Sequence, residues 1–163
     1  MEEIFIELEK KHHIYDKGYV IFGLPGIGKT FNNKSYKKLN KYVYLDGDKL
    51  MKKFELKNIM KPSSIQSFLK NREYRKSIDI ILTKAKNHGF KILCNPLIYN
   101  FIPDAIVIIP KHQYKENLKK RIDLVDKTEF LFMSSDIISK YGKIHNIPIF
   151  NSIQLAVQYC DNK

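Results

Sequence analysis

Val20-Ile21-Phe22-Gly23-Leu24-Pro25-Gly26-Ile27-Gly28-Lys29-Thr30 decides the reading of this chain. An apolar run that reads as a buried strand leads straight into Gly-x-x-x-x-Gly-Lys-Thr, a spelling with a physical cause. Backbone N–H groups wrap a polyphosphate only where the chain curls tightly, and glycines at 23, 26 and 28 allow that curl without bulk in the anion's way. A helix starting near Gly28 would aim its positive end at the same point. Lys29 is expected to reach the β- and γ-phosphates and Thr30 to offer its hydroxyl to Mg²⁺. Gly23, Leu24, Pro25, Gly26, Ile27, Gly28, Lys29 and Thr30 are therefore expected to cradle a nucleoside triphosphate, with ATP and Mg²⁺ as the cofactors.

On either side of the loop, apolar segments alternate with helical patterns, the signature of strand–helix–strand units. Five strands are expected, at 19–22, 42–45, 91–95, 105–109 and 148–150. Each is a short continuous apolar run, as strands covered on both faces are. The first helix is expected from 28 to about 40, although Asn32, Asn33 and Ser35 are mediocre helix formers. Ser63 and Ser64 can cap a long helix reaching His88, in which Ile65, Phe68, Leu69, Ile78, Ile81, Leu82 and Ala85 recur at helical spacing before Gly89 ends it. Residues 56–62 read as an irregular crossing. Pro110 precedes a basic helix from about 112 to 125, Thr128 can cap another, and a short one follows Ser152. The expected fold is α/β: a three-layer P-loop NTPase fold, its five-stranded parallel sheet covered by helices on both faces, in a single domain over 1–163.

Composition narrows what the loop serves. The chain has 163 residues, 44% of them hydrophobic, enough to bury a core without disulfide or metal staples. No apolar stretch reaches the roughly twenty residues that span a bilayer. The start, Met1-Glu2-Glu3-Ile4-Phe5, lacks the basic residues and long apolar segment of a signal peptide. Cys94 and Cys160 are too few for a disulfide scaffold and read as packing residues. A cytoplasmic protein with no membrane partner is expected. Lys and Arg number 29 against 17 Asp and Glu, a net charge of +12. Much of the excess lies in Lys34, Lys37, Lys38, Lys41, Lys49, Lys52, Lys53, Lys57 and Lys61. Compositional drift in a chain rich in Lys, Asn, Ile and Tyr accounts for this as well as an anionic partner does. His12 and His13 have no partner at metal-ligand spacing and read as surface residues.

The second informative constellation is Tyr44-Leu45-Asp46-Gly47-Asp48, two carboxylates two residues apart at the carboxyl end of the second expected strand. Open α/β sheets place their sites at that edge. One carboxylate can serve a Mg²⁺ and the other can take a proton from an attacking hydroxyl. By itself Asp-Gly-Asp is also common turn and helix-cap chemistry, with Asp48 capping the next turn; beside a phosphate loop the catalytic reading takes precedence.

Residues 23–30 and Leu45-Asp46-Gly47-Asp48 together resemble the small P-loop kinases that phosphorylate a hydroxyl, among them adenylylsulfate, shikimate and gluconate kinases and the kinase domains of polynucleotide kinases. Tyr44-Leu45-Asp46-Gly47-Asp48-Lys49-Leu50 looks like the Leu-Asp-Gly-Asp-Asn segment of adenylylsulfate kinases. The resemblance covers the first third of the chain, the rest matching only in order of elements. It implies Asp46 near the metal with Thr30, and Asp48 on the acceptor. Leu93-Cys94-Asn95-Pro96-Leu97-Ile98-Tyr99 stands where adenylylsulfate kinases carry Ser-Pro-Phe-Arg but has no arginine, which argues against a sulfonucleotide. No acidic residue ends this strand, unlike motor ATPases. The resemblance also implies a basic lid, matched by Lys115-Glu116-Asn117-Leu118-Lys119-Lys120-Arg121-Ile122-Asp123 with Arg121 as its catalytic candidate, and a nucleotide base resting against 151–153.

The expected activity is ATP- and Mg²⁺-dependent transfer of the γ-phosphoryl group to a hydroxyl of a small molecule, nucleotide or nucleic acid, with Lys29, Asp48 and Arg121 as catalytic residues. The basic charge favours a nucleotide or nucleic acid as acceptor. Arg72, Tyr74 and Arg75 are weak acceptor candidates. The alternative is a nucleic-acid-binding P-loop ATPase or nucleotide-gated binding protein that works through its lysine-rich face.

Overall fold

The computed structural model describes residues 1–58, 72–96, 101–121 and 128–163. Its centre is β1 (Tyr19–Gly23), the strand that leads into the glycine-rich loop, and all five of its residues are buried. β1 pairs in parallel with β5 (Lys91–Cys94) on one side and β6 (Ala105–Val107) on the other, through Tyr19 with Lys91 and Ile21 with Ala105. β4 (Tyr44–Asp46) lies outside β5, and β7 (Ile149–Phe150) outside β6. The order β4-β5-β1-β6-β7 makes one five-stranded parallel sheet.

Connection handedness layers the helices around this sheet. The chain leaves β1 through α2 (Lys29–Ser35) toward β4, then reverses through α3 (Gly47–Asn58) and α4 (Arg72–Asn87) to β5. Right-handed crossovers in opposite directions put α2 on one face and α3 and α4 on the other. α5 (Lys111–Lys119) and α6 (Thr128–Ile144) join β6 to β7 in the same direction as the β4-to-β5 crossover; α7 (Ile153–Asp161) packs on β1, β6 and β7 and shares a cleft with α2. Both faces of the sheet are thus covered, and the fold is the three-layer α/β one expected. Val20, Leu82, Ile92 and Ile106 have no exposed surface.

Several boundaries depart from the sequence reading. The helix after the loop stops at Ser35 instead of about 40, and the chain folds into an antiparallel hairpin, β2 (Lys37–Lys38) with β3 (Lys41–Tyr42). Leu39 and Asn40 form its tip with φ of 50° and 62°, the left-handed pair of a tight hairpin turn. Asn tolerates that conformation better than most residues, so the weak helix formers after Thr30 lose to the hairpin. The expected 42–45 strand is consequently divided: Tyr42 belongs to the hairpin, and Tyr44–Asp46 to the sheet. The strands expected at 91–95 and 105–109 end earlier, at Cys94 and Val107, and the basic helix begins at Lys111 and ends at Lys119.

An N-terminal helix, α1 (Glu2–Glu9), was not anticipated. It buries Ile4, Phe5 and Leu8, with Phe5 against Phe54, His88 and Phe90. Of the long amphipathic helix, α4 carries Ile78, Ile81, Leu82 and Ala85 on its buried face, as their spacing predicts. Ser63, Ser64, Ile65, Phe68 and Leu69 lie outside the described residues, as do 59–62 of the expected crossing. Ser152 caps α7, its hydroxyl accepting from the Leu155 N–H at 3.3 Å.

Candidate active site at the carboxyl edge of the sheet

β1 lies where the connections change direction, and such a point opens a crevice beyond the carboxyl ends of the strands. The loop that fills it needs glycine at two positions: Gly26 and Gly28 have φ of 89° and 98°. A Cβ at Gly26 would also lie 3.0 Å from Leu118, so α5 rests directly on the loop. Two hydrogen bonds tie that helix down, from the Tyr114 hydroxyl to the Pro25 carbonyl at 2.9 Å and from the Asn117 amide to the Gly26 carbonyl at 3.0 Å.

A cavity of about 750 Å³ occupies the crevice. Pro25, Gly26, Gly28, Lys29 and Thr30 of the loop line it, and so do Asp46, Asp48 and Arg121. Most of the residues singled out from the sequence therefore meet in one place. Gly23, Leu24 and Ile27 do not line it: Gly23 ends β1, and Leu24 and Ile27 are buried in the core. Their part is to set the loop's path. Thr30, Asp48 and Arg121 are exposed to the cavity, whereas Lys29 is half-buried.

Lys29 folds back on the loop, donating to the Gly23 carbonyl and, at 2.8 Å, to the Leu24 carbonyl. Burial lowers its pKa to about 8; Asp48, Cys94 and Asp46 oppose that shift and Arg121 adds to it. Two loop carbonyls thus hold the ammonium against its desolvation.

Of the two carboxylates, the cap that the sequence offered to Asp48 as its alternative role falls to its neighbour. Asp46, not Asp48, caps the following helix: its Oδ1 accepts from the N–H groups of Asp48 at 2.9 Å and Lys49 at 3.3 Å. Asp48 Oδ2 accepts from the side-chain amide of Asn95 at 2.6 Å. The glycine between them is required by close approach, since a Cβ on Gly47 would lie 2.6 Å from the Cys94 sulfur. Burial pushes the Cys94 thiol well above its ordinary range, with Asp48 adding to the effect, so it is an inert packing group.

Thr30 and Asp46 fit a hard cation, because both offer oxygen and Asp46 engages α3 through only one of its two oxygens. No group of three or more His, Cys, Asp or Glu placed to hold a metal occurs among the described residues. A cation here would complete its shell with phosphate oxygens and water.

Asn117 and Lys120, from the segment matched to a basic lid, line the same cavity, and so do Asn95 and Phe31, which had no role in the sequence reading. Asn95 is separated from Asp48 by 47 positions and is joined to it only by the pairing of β4 with β5. Its position at the exit of a central strand was the one available signal. Arg75 sits on α4 beside Asp79, whose carboxyl burial pushes up and Arg75 pulls down; Arg75 and 151–153 are not in the wall of this cavity. The side chains of Arg72 and Tyr74, and residues 97–99 and 122–123, lie outside the described set.

Among known proteins, neither a protein-family model nor a curated protein sequence matches this chain. The class of the molecule therefore rests on its three-layer fold and on the chemistry gathered at the end of β1.

Proposed function

We propose that the protein is an ATP- and Mg²⁺-dependent kinase that transfers the γ-phosphoryl group to a hydroxyl. The observation that carries this reading is the shared cavity, in which phosphate-loop backbone, a hydroxyl and carboxylate suited to Mg²⁺, an Asn-oriented carboxylate and an arginine face one space. ATP would displace the loop carbonyls from Lys29, whose ammonium then pairs with the β- and γ-phosphates. Thr30 and Asp46 would hold Mg²⁺, which when bound neutralises charge on the phosphate oxygens.

Asp48 accepts the proton of the acceptor hydroxyl as that oxygen bonds to the γ-phosphorus. The bond from the γ-phosphorus to the bridging oxygen breaks, and its electron pair leaves with ADP. Asn95 fixes the rotation of the Asp48 carboxylate, a positioning role. Arg121, with Lys120 beside it, offers charge to the transferring group as the site closes. The two buried, unpaired cysteines suit a reducing cytoplasm.

Transfer from γ-labelled ATP to nucleosides, nucleotides and 5′-hydroxyl oligonucleotides tests the reading. Wild type should label an organic acceptor, and Asp48→Ala should lose transfer by a factor of about 10² or more while binding ATP nearly as well. Asn95→Ala should lower kcat with little change in KM for ATP. Equal transfer by wild type and Asp48→Ala overturns the assignment.

A second reading has its own observation: Lys34, Lys37, Lys38 and Lys52 are exposed around the hairpin and α3. A nucleotide-gated nucleic-acid-binding protein would show oligonucleotide affinity falling steeply with salt and label only in inorganic phosphate.

A further inference from the structure

α6 is a surface helix with apolar residues on two faces. Inward it buries Leu131 and Ile138, and it packs so closely that a Cβ on Gly142 would lie 2.9 Å from Ile149 and 3.1 Å from Ile106. Outward, Phe130 is 49% exposed, Met133 64%, Ile137 48% and Ile144 75%. No other element among the described residues carries more than one exposed large apolar side chain. Apolar residues exposed singly are ordinary, whereas a contiguous apolar patch marks an interaction surface.

The spacing says what kind of surface this is. The four side chains follow one another at intervals of three, four and seven residues, and Lys140 fills the one position missing from that series. Such a period keeps one line of side chains facing a second helix laid alongside. Charge is graded along the same face. Glu129 and Asp136 lie on the amino-terminal side of Ile137, Lys140 and Lys143 on its carboxyl side, and all four are exposed. Asp136 stands 3.9 Å from Lys111, and both side chains are well exposed, so that ion pair is weak and a new partner can replace it at little cost.

We propose that this seam docks on the same seam of a second copy of the chain, the two α6 helices antiparallel about a two-fold axis near Ile137. A self-complementary patch makes a closed pair of that kind. Phe130 and Ile144 lie seven residues to either side of Ile137, so turning the second helix end for end keeps apolar residues opposite apolar ones. It also brings the acidic end of each helix beside the basic end of the other, whereas a parallel pair would set Lys140 against Lys140. The methylene stem of Lys140 covers the seam while its ammonium turns out toward the carboxylates of the other copy. The four side chains expose on the order of 400 Å² between them, about half of one partner's share in a standard interface. Each copy also carries a net charge of +12, so the pair is a weak one that forms as concentration rises. The proposal does not rest on the kinase reading.

The test is a concentration series of the full chain in sedimentation velocity at about 0.15 M salt, where repulsion between distant charges is screened. Wild type should pass from monomer to dimer. Ile137→Gln and, separately, Ile144→Gln should each raise the dissociation constant by about tenfold or more. Both positions are exposed, so the circular dichroism of each variant should match wild type. Lys140→Glu with Lys143→Glu should weaken the dimer by about threefold or more, because acid then meets acid along the seam, even though the change lowers the net charge that keeps copies apart. Adding Glu129→Lys and Asp136→Lys, which exchanges the two ends, should restore it. Wild type that stays monomeric at every concentration overturns the proposal, and so does a dimer indifferent to both Gln variants. A dimer that ignores the charge reversal overturns the antiparallel arrangement, and growth beyond two copies overturns the closed pair. Failure of the kinase reading is scored separately, by the transfer assay with wild type and Asp48→Ala, since none of these positions lines the phosphate-loop cavity.

Discussion

At the residue scale, Lys29 ties the physics of the fold to ligand binding. Burial disfavours its ammonium and brings its pKa from 10.5 to about 8, while the nearby carboxylates limit the fall. The charged form is what a triphosphate prefers, so binding above pH 8 must take up a proton, and affinity should fall with rising pH by up to about tenfold per unit. Calorimetry near pH 9 in two buffers of different ionisation enthalpy should reveal that uptake, and Lys29→Arg should abolish it because the guanidinium stays charged. Affinity that is flat with pH in wild type would show that Lys29 does not meet the phosphates. The sign for folding is opposite. A lysine pKa below its unfolded value weakens the fold at low pH, and stability returns as pH climbs from about 8 toward 10.5. At this scale the loop residues were legible because Gly-x-x-x-x-Gly-Lys-Thr is a contiguous spelling that one short window of sequence contains. Asn95 was not, because its partner lies 47 positions away, in the first turn of α3.

At the element scale, α3 begins on a carboxylate with two duties. Asp46 caps the helix and is the residue proposed to serve a cation, and two substitutions separate these. Asp46→Ala should cost about 1 kcal/mol through the lost cap and lower Tm by roughly 2–4 °C for a chain of this size. Asp46→Asn keeps a capping oxygen, so Tm in a thermal melt should stay near wild type while Mg²⁺-dependent transfer falls. A melt in which Asn destabilises as much as Ala would mean that the cap is not what the carboxylate supplies. The elements that escaped the sequence reading are the marginal ones. The hairpin replaces the end of α2 because weak helix formers and a left-handed Leu39-Asn40 tip favour it locally. α1 escaped because its eight residues offer too short a period to be distinguished, and it is held by Phe5 packing against aromatic rings from α3 and from the turn before β5.

At the scale of the whole molecule, the sheet is stabilised by apolar burial on both faces, and α4 is the part of that cover whose spacing was plainest. Leu82 has no exposed surface, so Leu82→Ala should cost about 2–5 kcal/mol through lost burial and the cavity left behind. Urea denaturation should show a lower midpoint with the slope unchanged; an unchanged midpoint would place Leu82 outside the core. The sequence alone determined the glycine-rich loop after β1, the parallel α/β class and the Asp-Gly-Asp turn, because each is a local pattern: a glycine spelling, an apolar run of fixed length, two carboxylates at one strand end. Tertiary structure alone decided that Asp48 is held by Asn95 and that α5 is tethered to the loop through Tyr114 and Asn117. Those relations depend on which strands become neighbours and which helix lies across the loop, and strand order is set by the packing of the whole chain, which no local window contains.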